Sequence, residues 1–550
     1  MLKSKTLKAG LLSAAAVVTF TACASEPDND GGTVNDGNDN DNAVDNDGNN
    51  DNEAADDEAA AGDNDLIIAV LSDADSLDAH GSNDVPSSNI QVNIYEPLIS
   101  QTEDGDLEPL LATDWEAVED DLWEFTLRDD VTFHDGSELT ADVVKANFDR
   151  VLDPDIASPR AFLYEMVEEV IVVDDYTVQF QTEFPFAPLP SHIAHSGGAI
   201  MSQEIIEADY EAIEDGGQPG DYINDNPVGT GFFQFESWSP GDNVVLNKNE
   251  DYWGEEAKVD SVTFRVVPED LTRIGELETG AAHIIHPVSP SDTGRVEETD
   301  GINLYEQESL SLAYIGFNME EGPLADQQVR QALSMAINKD DIILGVMDGT
   351  AEPAVGPIGP QVFGYSDQVD PLPYDPERAQ EMLAEAGYED GFETTIWTND
   401  ARERMDIAEL VQDQLGEIGV DVEIEVLEWG AYLDETAEGN HDMFILGWTT
   451  VTADADYGMY ALFHSSQHGS PGNRSFMSND ELDDILDEAR READPDVRTA
   501  LYEDAMEILV EDAPMLYLYH QNYLVGLRDE VEGFWKHPNG LYMLQDVEIQ

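Results

Sequence analysis

The sequence predicts an α/β protein of mixed sheets covered by helices, and three observations carry that reading. Short apolar or alternating runs interleave with capped, helix-periodic runs, a pattern unlike that of a sandwich or a bundle. At about 150 residues per domain, 550 residues suggest several lobes, each with room for a core. Hydrophobic residues make up 41% of the chain, so its acidity is not that of a disordered polymer.

The elements follow in order. Residues 66–71 (LIIAVL) form an apolar run suited to a buried strand, residues 123–127 alternate, and residues 172–180 are rich in β-branched side chains. Thr140 caps a predicted helix that carries Val143, Val144, Phe148 and Val151 at helical spacing. A second helix starts at Asp326 and places Val329, Ala332, Leu333 and Ala336 on one face. A third has Asp375 as N-cap with Pro376 at its first position and runs to Ala386. Helical patterns at 404–418 and 479–491 alternate with strands at 394–397, 420–426 and 443–446.

The N-terminus opens with a basic segment (Lys3, Lys5, Lys8) and an apolar run of 14 residues from Ala9 to Ala22. That is short of the roughly 20 residues of a spanning helix and fits a secretory segment. It ends at Phe20-Thr21-Ala22-Cys23, which resembles a bacterial lipobox, in which the cysteine is diacylated and heads the mature chain. An ordinary signal peptide with an incidental cysteine is the alternative. Residues 24–65 carry 15 acidic groups and no Lys, Arg or aromatic residue, so they read as a disordered, self-repelling tether. Its Asp45-Asn46-Asp47-Gly48 stretch has no flanking helices and reads as linker rather than a calcium loop.

The chain holds 120 Asp and Glu against 23 Lys and Arg, a formal charge of −97. Such a surface repels phosphate backbones, which excludes nucleic acid as a partner. A single cysteine excludes an internal disulfide framework and thiolate metal clusters. Only 8 residues are Lys against 15 Arg, and this scarcity, with the acidity, points to a halophilic protein, because concentrated salt screens the self-repulsion.

Four segments carry a family resemblance: residues 127–136 (LRDDVTFHDG) with 139–143; residues 226–231 (NPVGTG) with 246–249 and Tyr252-Trp253; residues 314–318 (YIGFN) with Pro323, Asp326, 329–333 and 336–339; and Glu428-Trp429-Gly430 with Gly447-Trp448-Thr449. In this order they resemble the extracytoplasmic solute-binding proteins of peptide ABC transporters, the oligopeptide and dipeptide family (family 5). The resemblance implies a two-lobed clamp of the periplasmic-binding-protein type (type II, large peptide-binding class). One lobe would comprise residues 66–309 and 513–550 and the other residues 310–512, with hinges near 311–317 and 513–519. It also implies a non-enzymatic, monomeric receptor without a cofactor, lipid-anchored on the outer face of the cell membrane, which delivers peptides to a permease and ATPase complex.

The resemblance places ligand contacts on the second lobe's loop with Trp448, Thr449, Thr450 and Asp454. Relatives that bind a free peptide amine carry Asp three residues after this Trp, where this chain has Val451. Either Asp454 or Asp456 replaces it from another angle, or the ligand's amine lies elsewhere, which keeps glutathione-like peptides open. Arg402 and Arg404, in the loop after strand 394–397, are the candidates for a ligand carboxylate. Asn83 and Asp84, with Ser87, are candidate polar groups on the first lobe. The pairs His464/His468 and His283/His286 and the His134-Asp135 dipeptide lack the context of a metal site or proton relay. Nickel complexes as ligand, an exported hydrolase, and a signalling or chaperone receptor are the remaining alternatives.

Overall fold

The computed structural model describes residues 64–550, apart from Glu321 and Pro471. Cys23 and its signal segment, and all of the expected tether but its last two residues, lie outside the described residues. Asp65, expected in the tether, is instead the first residue of the strand Asp65–Val70, where its carboxylate accepts from Ser261 Oγ at 2.8 Å.

The strand Met515–Arg528 organises the clamp. At about 3.4 Å per residue, 14 residues span roughly 48 Å, enough to run through two bodies. Residues 515–520 and 524–527 are buried, whereas Gln521, Asn522 and Tyr523 between them are not. The first half pairs with Ser311–Phe317 and Ala351–Pro353, the second with Ile302–Glu308 and Ile284–His286. One sheet therefore runs through both lobes. It continues through Met443–Thr449, Phe392–Asn399 and Val420–Leu427 on one side, and through Asp65–Val70, Ser261–Val266, Asn243–Lys248 and Phe233–Ser239 on the other.

The segments expected as hinges lie in regular strand. Residues 311–317 and 515–519 are paired strand, and Ile315, Leu516, Leu518 and Tyr519 pack in one core of the second lobe. Along the long strand the pairing passes from Ala351–Pro353 at His520-Gln521 to Ile302–Glu308 at Asn522, and Ser309-Leu310 joins Ile302–Glu308 to Ser311–Phe317.

Two cores fill the second lobe and three the first. The first lobe also carries an antiparallel sheet in the order Ala112–Glu119, Leu122–Leu127, Thr177–Thr182, Val167–Asp174. Helix Ala141–Val151 covers it with Val144, Phe148 and Val151, although Thr140 makes no side-chain capping bond. Asp326, Asp375 and Asn479 do cap the helices that follow them.

Two of the sequence motifs meet. His134 Nδ1 accepts from Gly229 N at 3.3 Å and its Nε2 donates to Gly231 O at 2.9 Å, which fixes the tautomer. A Cβ on Gly229 would lie 2.1 Å from Ile94 O, so the glycine permits close backbone approach.

Candidate functional site

In each lobe the parallel strands point their C-terminal ends toward the middle of the long strand. Asp65–Val70 runs parallel to Ile284–His286 and Ser261–Val266, and Phe392–Asn399 runs parallel to Met443–Thr449 and Val420–Leu427. Open α/β sheets bind ligands outside such ends. The candidates of the folded part gather at these ends: Asn83 and Asp84 in the loop after Asp65–Val70, Trp448 and Thr449 at the end of the strand Met443–Thr449, Thr450 and Asp454 in the loop after it, and Arg402 and Arg404 at the start of the helix after Phe392–Asn399.

The loop after Met443–Thr449 is tightly built. Thr449 still pairs with Ser311, and Thr450 N donates to Leu310 O at 3.1 Å. Ala453 is held at φ 54°, a left-handed conformation that a non-glycine residue adopts at some energetic cost. Its carbonyl accepts from Phe363 N at 2.8 Å, and Ala455 N donates to Phe363 O at 3.0 Å. Trp448 is partly buried beside the Tyr457 ring, 5.4 Å between centroids, and its indole N–H is buried without a partner.

Asp454 is not an open carboxylate. Arg498 grips it with two bonds of 2.6 and 2.7 Å, and both side chains are buried. Asp454 also caps the helix Ala455–Phe463 through Asp456 N. Asp456 pairs with Arg490 at 3.2 Å. Both carboxylates that could stand in for the residue at Val451 are thus neutralised within the lobe.

Arg402 and Arg404, expected in the loop after strand 394–397, both lie in the first turn of the helix Arg402–Glu417, which starts two residues before the helical pattern read from residue 404. Arg402 points into solvent, 3.6 Å from Asp406 one turn on. Arg404 turns inward, donating to Asn399 Oδ1 at 3.0 Å and stacking 5.1 Å from the Trp429 ring centroid. Parallel pairing of Phe392–Asn399 with Met443–Thr449 puts Arg404 and Trp448 at the same end of the sheet.

On the first lobe, Asp84 caps the helix Val85–Ile94 through Ser87 N at 2.8 Å, while its Oδ2 is buried without a partner. Two buried arginines pin this loop. Arg150 bridges Asp78 at 2.7 Å and Asp209 at 2.8 Å. Arg160 donates to Ser82 O, Ser88 Oγ and Ser196 Oγ. Six of the 15 arginines are buried in this way, so arginine scarcity on this chain marks internal pins more than ligand contacts.

The loop of Trp448 touches the opposite lobe. Gln101 Nε2 donates to Thr452 O at 2.7 Å, Ser191 Oγ to Asp454 Oδ2 at 3.5 Å, and the Tyr457 ring lies 6.2 Å from that of Phe162. Sequence reasoning missed Tyr457, Arg490 and Arg498. Nothing local marks the acidic partners of the two arginines, which lie 34 and 44 residues away.

Among the described residues no group of three or more His, Cys, Asp and Glu could hold a metal ion. His283 Nδ1 accepts from Ile67 N, His286 meets Tyr542 Oη, and His468 Nε2 meets Met477 O. No described helix is long and apolar enough to cross a membrane.

The profile of the bacterial extracellular solute-binding proteins, family 5, matches residues 106–470. The chain belongs to this family. The glutathione-binding protein GsiB of Salmonella typhimurium is 32% identical over 496 residues, which cover 88% of this chain and 94% of that protein. Among solved structures, HbpA2 from Haemophilus parasuis has a TM-score of 0.81 at 29% identity and covers 88% of this chain and all of its own. DppA from Helicobacter pylori, in complex with the peptide STSA, has a TM-score of 0.73 at 31% identity, covering 88% of this chain and 98% of its own. GsiB and DppA are named as binding proteins, and the two solved structures share the fold described above. In this family member the segment after Trp448 meets Gln101, Ser191 and Phe162 of the opposite lobe.

Proposed function

We propose that this solute-binding protein is the lipid-anchored, extracytoplasmic receptor of a peptide-type ABC importer and that its ligand is a short peptide of the glutathione kind. The observation that carries the reading is the neutralisation of Asp454 by Arg498 and of Asp456 by Arg490. With Val451 at the place where an acidic residue would meet a peptide amine, the loop offers the ligand the Trp448 face and backbone groups rather than a carboxylate. A desolvated ammonium needs a charged partner, so an ordinary free amine is disfavoured there. The γ-glutamyl linkage of glutathione displaces the amine from the peptide backbone, and the similarity to GsiB points the same way. Arg404, planar and held against Trp429, is the group for a ligand carboxylate.

Lobe closure then buries the ligand and presents a closed form to the membrane permease, with no bond made or broken. Acylated Cys23 and the acidic segment after it tether a monomeric receptor to the outer face of the membrane. The folded surface suits concentrated salt.

The test is native mass spectrometry of protein purified at high salt, followed by calorimetric titration with reduced glutathione and a panel of di- and tripeptides. Glutathione is expected to bind in preference to the unmodified tripeptides, and Arg404→Ala is expected to weaken it by about thirtyfold or more, as for a truncated buried charge pair. A co-purified metal ion without an organic ligand, cleavage of the added peptides, or no heat with any of them would overturn the proposal.

A further inference from the structure

The contact between the lobes contains a cation held by rings from both sides. Arg490 follows the helix Asp480–Ala489 of the second lobe as its C-cap. Its guanidinium lies 3.7 Å from the Tyr460 ring centroid on its own lobe, and 5.3 Å from each of the Phe184 and Phe186 rings on the other. Asp456, at 3.2 Å, balances its charge. The Arg490 carbonyl accepts from Ala187 N at 2.9 Å, so the backbone crosses the gap as well. Arg491 adds a second guanidinium 5.9 Å from Phe184.

The first-lobe side of this contact is rigid. Phe184 and Phe186 alternate with Pro185, Pro188 and Pro190, which restrict the backbone. The two rings pack edge to face at 5.8 Å, and Phe186 O accepts from Trp123 Nε1 at 3.1 Å. A pre-ordered receiver lowers the entropy lost when a side chain docks into it.

From these contacts we infer that Arg490 is a positioning residue that links the Trp448 loop to lobe closure and sets the balance between open and closed clamp before any ligand binds. Its Asp456 arm reaches the segment that continues the Trp448 loop, and its ring contacts and carbonyl reach the first lobe. Opening must pull the guanidinium from both phenylalanines and break the Ala187 bond. Closing restores these contacts and, through Asp456, holds the segment that follows Asp454. Ligand affinity then scales with the closed fraction that this contact maintains. The inference rests on the clamp reading of the Proposed function and not on the identity of the ligand.

The test needs no ligand. Small-angle X-ray scattering of the dialysed full-length protein at high salt compares wild type with Arg490→Gln, Arg490→Lys and Phe184→Ala, each checked by thermal melting. Phe184 is partly exposed and lies on the opposite lobe, so Phe184→Ala tests the contact even where Arg490→Gln fails to fold. Arg490→Gln and Phe184→Ala are each expected to broaden the interatomic distance distribution. The expected rise in the open-to-closed ratio is roughly five- to thirtyfold, the equivalent of a desolvated cation–ring contact. Arg490→Lys is expected to fall between wild type and Arg490→Gln, and the double variant to open no further than the larger single effect. Unchanged scattering in folded Phe184→Ala overturns the inference, as does broadening in Arg490→Gln alone. Failure of every peptide to bind leaves these scattering results unaffected and counts against the Proposed function only.

Discussion

The pair Asp454–Arg498 gives the most quantitative test of how the candidate site is held. Asp454 receives two short bonds from the guanidinium and caps a helix, and Arg498 also donates to Ala489 O and Tyr502 Oη. Both charges are buried, so removing one partner leaves the other without solvent or counter-ion. Breaking such a pair costs about 3–5 kcal/mol. Asp454→Asn preserves the capping oxygen and the shape but removes the charge, so it isolates the electrostatic part. Arg498→Met strands the carboxylate instead. Each single variant is therefore expected to lose about 3 kcal/mol or more, and the double variant to lose less than the sum, because no unpaired charge remains. Urea unfolding followed by tryptophan fluorescence reads this, with Trp448 and Trp429 reporting on the second lobe. With a denaturant slope of about 3 kcal/mol/M, each single variant should unfold about 1 M urea earlier. Salt should leave the loss largely unchanged, since a buried pair is weakly screened. Wild-type midpoints for both single variants, or strictly additive losses in the double, would refute the reasoning.

Three further outcomes are expected. Glu96 is buried and receives Tyr252 Oη at 2.6 Å, Thr230 Oγ1 at 2.7 Å and Trp253 Nε1 at 2.9 Å; burial outweighs these donors and raises its pKa from 4.5 to about 7. Its favourable contribution to stability is therefore full below pH 4.5 and lost as pH rises through 7, a swing of about 3 kcal/mol that should vanish from pH-dependent melts of Glu96→Gln. Gly416 lies inside the helix Arg402–Glu417 with nothing near its would-be Cβ, so Gly416→Ala should stabilise by about 0.5–1 kcal/mol in the same urea assay. Gly391 has φ 76° and a Cβ there would lie 1.7 Å from Gly419 O, so Gly391→Ala should cost more than about 3 kcal/mol, and normal expression with a wild-type midpoint would contradict it.

Local chemistry explains what was readable before the structure. Helix starts at Asp326, Asp375 and Asn479 were legible because an N-cap acts within three residues of itself. The interleaving of strands and helices was legible for the same reason. The less buried middle of the long strand was also written in the chain, as the polar Gln521-Asn522 within an apolar run. Arg402 and Arg404 looked equivalent, and helical phase separated them: Arg402 is 81% exposed at its side chain, whereas Arg404 turns back to Asn399.

By itself the sequence determined the α/β class, the capped helices, the family motifs and the acidic charge, because each depends on residues close in the chain or on composition alone. Only the tertiary structure decided what the charged residues do. Asp454 and Arg498 are 44 positions apart, Asp78 and Arg150 are 72 apart, and Ser191 reaches Asp454 across 263. A buried charge takes its role from the partner that folding brings to it, and no local pattern names that partner. Asp454 and Asp456, which looked like candidate ligand contacts, are thus anchors of the segment after Trp448, and a cation that carried no motif joins that segment to the opposite lobe.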